Sequence, residues 1–246
     1  MTKKKIMMAA MSAGLVAVVG LGGTLAYLSA QSNDVTNTFT VGDGYPTDID
    51  GHQGIWLDEK YYQYDEASKE NLPGTKGKER TEEGVDYIGL KPGDTFTKDP
   101  TVHMVEGSVE SYVFVAVDGV ADLESITVGE EPNKQQVFDI AGWNVEDEQN
   151  WVKLNDDGTP AESQVGGDGY YVYKTTVDAR QGAADLEPIF DTFTVLNVNE
   201  LPDQTTEVDG KDVRVVACAI QTTQTPQGIE AAFGQAKGEL DALLAE

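Results

Sequence analysis

Along much of this chain, apolar and polar residues alternate with a period of two, the spacing of a strand with one dry face and one wet face. "DVTNTFTVGD" shows it most clearly: Val35, Phe39 and Val41 fall on one side, Thr36, Thr38 and Thr40 on the other. In "SYVFVAVD", Tyr112, Phe114 and Ala116 alternate with Val113, Val115 and Val117, so both faces are apolar and a central strand covered on both sides is expected. "GIWLDEKYYQYDEA" starts apolar and turns charged. "GWNVEDEQNWVKLNDDG" and "GYYVYKTTVDA" predict a strand pair joined by a loop rich in Gly, Asp and Pro, and "PIFDTFTVLNV" and "VRVVACAIQ" predict two more strands. Between them, Pro92-Gly93-Asp94 is turn chemistry, with proline fixing φ and glycine permitting positive φ. Residues 66–84 carry Pro, Gly and a cluster of basic side chains, which predicts an exposed polar loop.

The pattern changes at both ends. Over residues 226–246 the apolar positions Ile229, Ala232, Phe233, Ala236, Leu240 and Leu243 recur at helical spacing, an amphipathic helix weakened by Gly234 and Gly238. At the other end Lys3, Lys4 and Lys5 precede "IMMAAMSAGLVAVVGLGG", and the run closes on Thr24-Leu25-Ala26. Basic head, apolar middle and small residues at the recognition positions are the layout of a secretory signal over residues 1–26, cut before Tyr27. A cut after Ala30 would put the bulky Leu28 at the upstream recognition position, and an uncut run of this length is also long enough to serve as a membrane anchor. The expected architecture is all-β: a jelly-roll-like antiparallel β-sandwich over residues 27–246, one domain, closed by the helix.

Charge narrows the partners. The chain has 17 Lys and Arg against 43 Asp and Glu, a net charge of −26, and loss of the three signal lysines deepens it to about −29. A polyanion of this strength repels nucleic acid and anionic lipid, so neither is an expected partner, and membrane contact is expected only through the signal before cleavage. Cys218, the single cysteine, sits in an apolar strand-like run and reads as a buried small residue; a chain of this size can bury enough surface without disulfides.

The inventory for catalysis is thin. His52 and His103 are the only histidines, far apart and in different contexts, and each reads as a surface or turn residue. There is no H-E-x-x-H pair and no G-x-S-x-G elbow. "NDDGTP" at 155–160 and "GGDGYY" at 166–171 resemble fragments of calcium loops but lack the alternating ligands and distal Glu, so they read as hairpin turns. "LPDQT" at 201–205 is similar to a sorting signal without its final Gly or an apolar tail. No catalytic residue, metal or cofactor is expected, and the chain is not expected to be an enzyme.

Two stretches carry a family resemblance. The junction "GLGGTLAYLSAQSNDVTNTFTVG" resembles the cleavage region and first strand of the TasA/camelysin family of exported biofilm-matrix proteins. "LKPGDTFTKDPTVHMVEGSVESYVFVAV" is similar to that family's turn, here Lys91, Pro92, Gly93 and Asp94, and to the strand pair after it, with Glu106-Gly107 in place of the family's Asn-Gly turn. "VVACAIQ" and the helix are similar, more weakly, to the end of the domain.

The resemblance implies a jelly-roll-like sandwich, secreted to the extracellular matrix or cell surface through a dedicated signal peptidase. It implies self-association into fibres, or co-assembly with related matrix subunits, by donation of the freed N-terminal strand. On that expectation residues 27–41, with Val35, Phe39 and Val41 on the buried face, are the donor strand. The competing class is a binding module for carbohydrate or protein, using aromatic residues such as Trp56, Tyr61, Tyr62, Trp143 and Trp151. A secreted metallopeptidase is a third class, poorly served by two scattered histidines.

Overall fold

In the computed structural model, which describes residues 29–31, 44–48, 50–75, 77–145, 150–198, 211–223 and 228–245, the alternating segments become strands. Every strand pairing among the described residues is antiparallel. Strand β1 (Ser29–Gln31) comes first. "GIWLDEKYYQYDEA" gives β2 (Ile55–Lys60) and β3 (Tyr62–Asp65), and the stretch expected as a loop over residues 66–84 contains β4 (Glu70–Pro73) and β5 (Arg80–Thr81).

After the Pro-Gly turn come β6 (Thr95–Thr97), β7 (Thr101–Met104) and β8 (Ser111–Asp118), then a short helix α1 (Val120–Glu124). Short strands β9 (Thr127–Val128) and β10 (Gln135–Gln136) lead to β11 (Phe138–Ala141). The expected strand pair appears as β12 (Trp151–Leu154) and β13 (Gly169–Tyr173). β14 (Ala184–Asp185), β15 (Thr192–Val195) and β16 (Arg214–Gln221) follow, and helix α2 (Ile229–Leu244) ends the described chain.

A five-stranded sheet runs β1-β16-β8-β13-β12, a four-stranded sheet β14-β7-β2-β5 and a three-stranded sheet β11-β15-β6, with two-stranded ribbons β9-β10 and β3-β4 beside them. The double apolar alternation of β8 now has its cause. Val113, Val115 and Val117 join the main core with Ile55, Val102 and Phe190, while Phe114 and Ala116 face α2 through Ala232, Phe233, Ala236 and Leu240. Cys218 lies in this second layer, wholly buried, and burial pushes its thiol pKa well up. At roughly 1.5–3 kcal/mol per large side chain buried, the helix contributes to the fold mainly through Phe233, Leu240 and Leu243. Arg214 donates to the carbonyls of Leu243 and Leu244, satisfying the last turn of α2 and tying it to the start of β16.

Among the described residues the architecture is therefore all-β with a C-terminal helix. No helix there is long and apolar enough to cross a membrane. Residues 1–26, including Thr24 and Ala26, together with Tyr27, Val35, Phe39, Val41 and the 201–205 stretch lie outside the described residues.

Candidate functional site

Strand β16 is paired with β8 along its full length, but on its other side β1 covers only Cys218, Ala219 and Ile220. Among the described residues, the strand pairings of Arg214, Val215 and Val216 are with β8. There too, β7 borders β2 over Ile55–Asp58, and β5, on the other side, borders Glu59 and Lys60. Both strands contribute to a cleft of about 930 Å³, lined by residues 57–59 of β2, by 211–216 leading into β16, and by the 81–88 stretch after β5. Its apolar lining comes from Leu57, Leu123, Phe138, Ile140 and Phe193.

Tyr87 lines this cleft with its ring against Tyr62, Phe96 and Phe193. Its hydroxyl is buried and has no hydrogen-bond partner among the described residues, and burial, assisted by the charge of Glu59, raises its pKa. An orphan of this kind costs about 1–3 kcal/mol until a donor or acceptor reaches it.

Beside the cleft the two histidines meet. The β2/β7 register sets His103 directly opposite Trp56, and the tight turn before β2 folds His52 back onto the other face of the indole. The rings stack at centroid distances of 4.2 Å (His52–Trp56) and 4.1 Å (Trp56–His103), tilted by 10° and 19°. His52 lies 2.8 Å from Asp48 through Nδ1 and 2.8 Å from Glu82 through Nε2. His103 lies 2.8 Å from Asp185 through Nδ1 and 2.9 Å from Asp58 through Nε2. Burial opposes the charged form of each ring, but the hydrogen bonds to paired carboxylates outweigh it and both pKa values lie above the ordinary histidine value.

Asp58, only 6 % exposed in mid-strand, also accepts from Arg80 Nε at 2.6 Å, and Arg80 Nη1 reaches Asp99 at 2.7 Å. Burial pushes the Asp58 carboxyl up, and the bonds from His103 and Arg80 overcome it and hold the pKa below the usual range. Glu59, equally buried, is met by Lys98 at 2.6 Å.

These contacts correct several expectations. His52 does lie in a turn, but His103 is a strand residue, and only 15 % and 13 % of their side chains are exposed. Each ring nitrogen faces a different carboxylate, so the ligands diverge, and no group of three His, Cys, Asp or Glu able to hold a metal occurs among the described residues. The 66–84 stretch is mostly exposed but supplies Arg80, the hub of the buried charges.

The candidate sugar-stacking rings have internal partners. Trp56 is sandwiched on both faces, Lys78 sits 4.3 Å over Tyr61, and Tyr62 packs edge-on against Phe96. Trp143 and Trp151 donate to the carbonyls of Ile140 and Glu187, each at 2.8 Å. The turn at Lys91–Asp94 forms as expected: Asp94 N–H donates to Lys91 O, its carboxylate accepts from Lys91 N–H, and Gly93 adopts φ +90°. That turn docks on β15 through Gly93 N–H to Val195 O at 2.8 Å.

The two calcium-like fragments are likewise used internally. Asp157 accepts from Thr159 within its own turn, and Asp168 accepts from the N–H groups of Val120 and Ala121 at the start of α1. Comparison of the chain with protein-family models, with curated proteins and with solved structures finds no match in any of the three.

Proposed function

We propose that this is a secreted structural protein of the extracellular matrix, polymerising by head-to-tail donation of its N-terminal strand, with a jelly-roll-like wiring of the TasA/camelysin kind. In this reading residues 1–26 direct export, cleavage before Tyr27 frees the arm at 27–41, and the arm of one copy adds to the sheet of the next. The observation that supports the reading lies at the edge of β16: among the described residues β1 pairs with Cys218–Ile220, while Arg214, Val215 and Val216 line an apolar cleft. An open strand edge offers unpaired N–H and C=O groups, and an incoming strand satisfies them while its alternate side chains fill the groove. A contact of this sort is heterologous, and one that does not close into a ring grows into a filament.

The test is electron microscopy of mature protein beginning at Tyr27, beside a version lacking residues 27–41. Filaments are expected only from the first, and equal yields from both would overturn the reading. Phe39→Asp is expected to leave a folded monomer that does not polymerise, because it sets a charge on the face meant for burial.

A further inference from the structure

Each of the four imidazole nitrogens in this chain faces its own carboxylate oxygen at 2.8–2.9 Å. A neutral imidazole has one N–H and one lone pair, so it can donate to only one of two carboxylates and must turn a lone pair towards the other. Four donor contacts require two imidazolium ions. The charges surrounding them say the same: the contacts link five carboxylates, Asp48, Glu82, Asp58, Asp185 and Asp99, with one guanidinium, Arg80, which pairs with Asp58 and Asp99. With both rings neutral the group carries five negative charges against one positive; with both protonated, five against three. The indole of Trp56 between them favours the same state, since its faces attract cations.

The arrangement is also directional. Reading across the four-stranded sheet, Asp185 on β14 meets His103 on β7, His103 stacks on Trp56 of β2, and Trp56 stacks on His52. His52 then reaches Glu82, immediately after β5 and in the lining of the cleft. The row runs perpendicular to the strands and fastens all four, along with the turn at Asp48.

We infer that His52, Trp56 and His103 form a pH-operated clasp that fixes Glu82, and with it the adjoining lining of the cleft, to the sheet when the imidazoles are protonated and releases that contact when they are neutral. A pKa raised in the folded state means that the stabilisation is fully present below the unfolded value of 6.5 and is lost as pH rises through the higher folded value. Each unit of elevation is worth about tenfold in the opening equilibrium. The effect on assembly rests on the donor-strand reading, whereas the clasp itself does not. A fixed lining spares an incoming strand the ordering of its own seat, so strand addition is tighter with the clasp closed.

Proton NMR titration of the full mature chain measures the clasp directly, because only two histidines contribute and His52→Gln and His103→Gln assign them. Both midpoints are expected above 6.5. Glu82→Gln is expected to lower that of His52 and Asp185→Asn that of His103; both carboxylates are solvent-exposed enough for the variants to fold. Midpoints at or below 6.5, or unmoved by loss of the carboxylates, would overturn the clasp. Amide exchange around Glu82, corrected for intrinsic rates, is expected to show more opening at pH 8 than at pH 6, a contrast lost in His52→Gln; equal contrast in both proteins overturns it too. Filament yield is expected to be higher at pH 6 than at pH 8 in the parent and level in His52→Gln. Normal titration and exchange without filaments at either pH sinks the donor-strand reading and leaves the clasp standing. Filaments with pH-indifferent exchange do the reverse.

Discussion

Asp58 and Glu59 lie in the middle of a strand and are buried, which local sequence gives no reason to expect. "IWLDEK" reads as an apolar run emerging into solvent because the neutralising groups, Arg80 and Lys98, arrive from elsewhere in the chain and are placed only by pairing of β2 with β5 and β7. Arg80 spends its donors on Asp58, Asp99, Thr101 and two backbone carbonyls. A lysine has the charge but not the fork, so Arg80→Lys is expected to cost about 2–3 kcal/mol, read from the urea midpoint, despite conserving charge. The histidines were opaque for the same reason: their meeting on Trp56 depends on cross-strand register, which no local pattern encodes. The Lys91–Asp94 turn was legible because its chemistry is contained within four residues.

Elements with a strong period were readable and those held by a partner were not. β8, β12, β13, β15, β16 and α2 follow from alternation or helical spacing, whereas β4 and β5 are two to four residues long in a polar stretch and exist through pairing with β3 and β2. In α2 the glycines that weaken the helical pattern have no packing role: a methyl group added at Gly234 or Gly238 meets nothing within 4 Å. Each position faces solvent, so Gly234→Ala and Gly238→Ala are each expected to raise stability by about 0.5–1 kcal/mol, with nearly additive shifts in thermal midpoint. Loss of stability in either variant would mean that the helix leaves its glycines free for some unseen contact.

At the scale of the whole molecule, the all-β class with a terminal helix was legible, while the division into three main sheets and the cleft beside them arise from non-local pairing. The charge balance sets how this assembly responds to pH. Asp58 and Asp48, whose pKa values are depressed despite desolvation because His103, Arg80 and His52 bind them, lend stability above the ordinary 3.8 that is lost as pH falls through their folded values. The histidines lend theirs below 6.5 and lose it as pH rises. Urea unfolding across pH 3–9 is therefore expected to peak between about 4 and 6.5, well above the isoelectric point of 4.2 at its upper end.

The pairing of β1 with β16 of its own chain has a kinetic corollary for the proposed strand donation. A tethered segment competes with any visitor at an effective concentration on the order of millimolar. On the donor-strand proposal, dilute copies are therefore expected to cap themselves and stay single, with crowding at the site of release, or a pre-existing filament end, tipping the contest towards a neighbour.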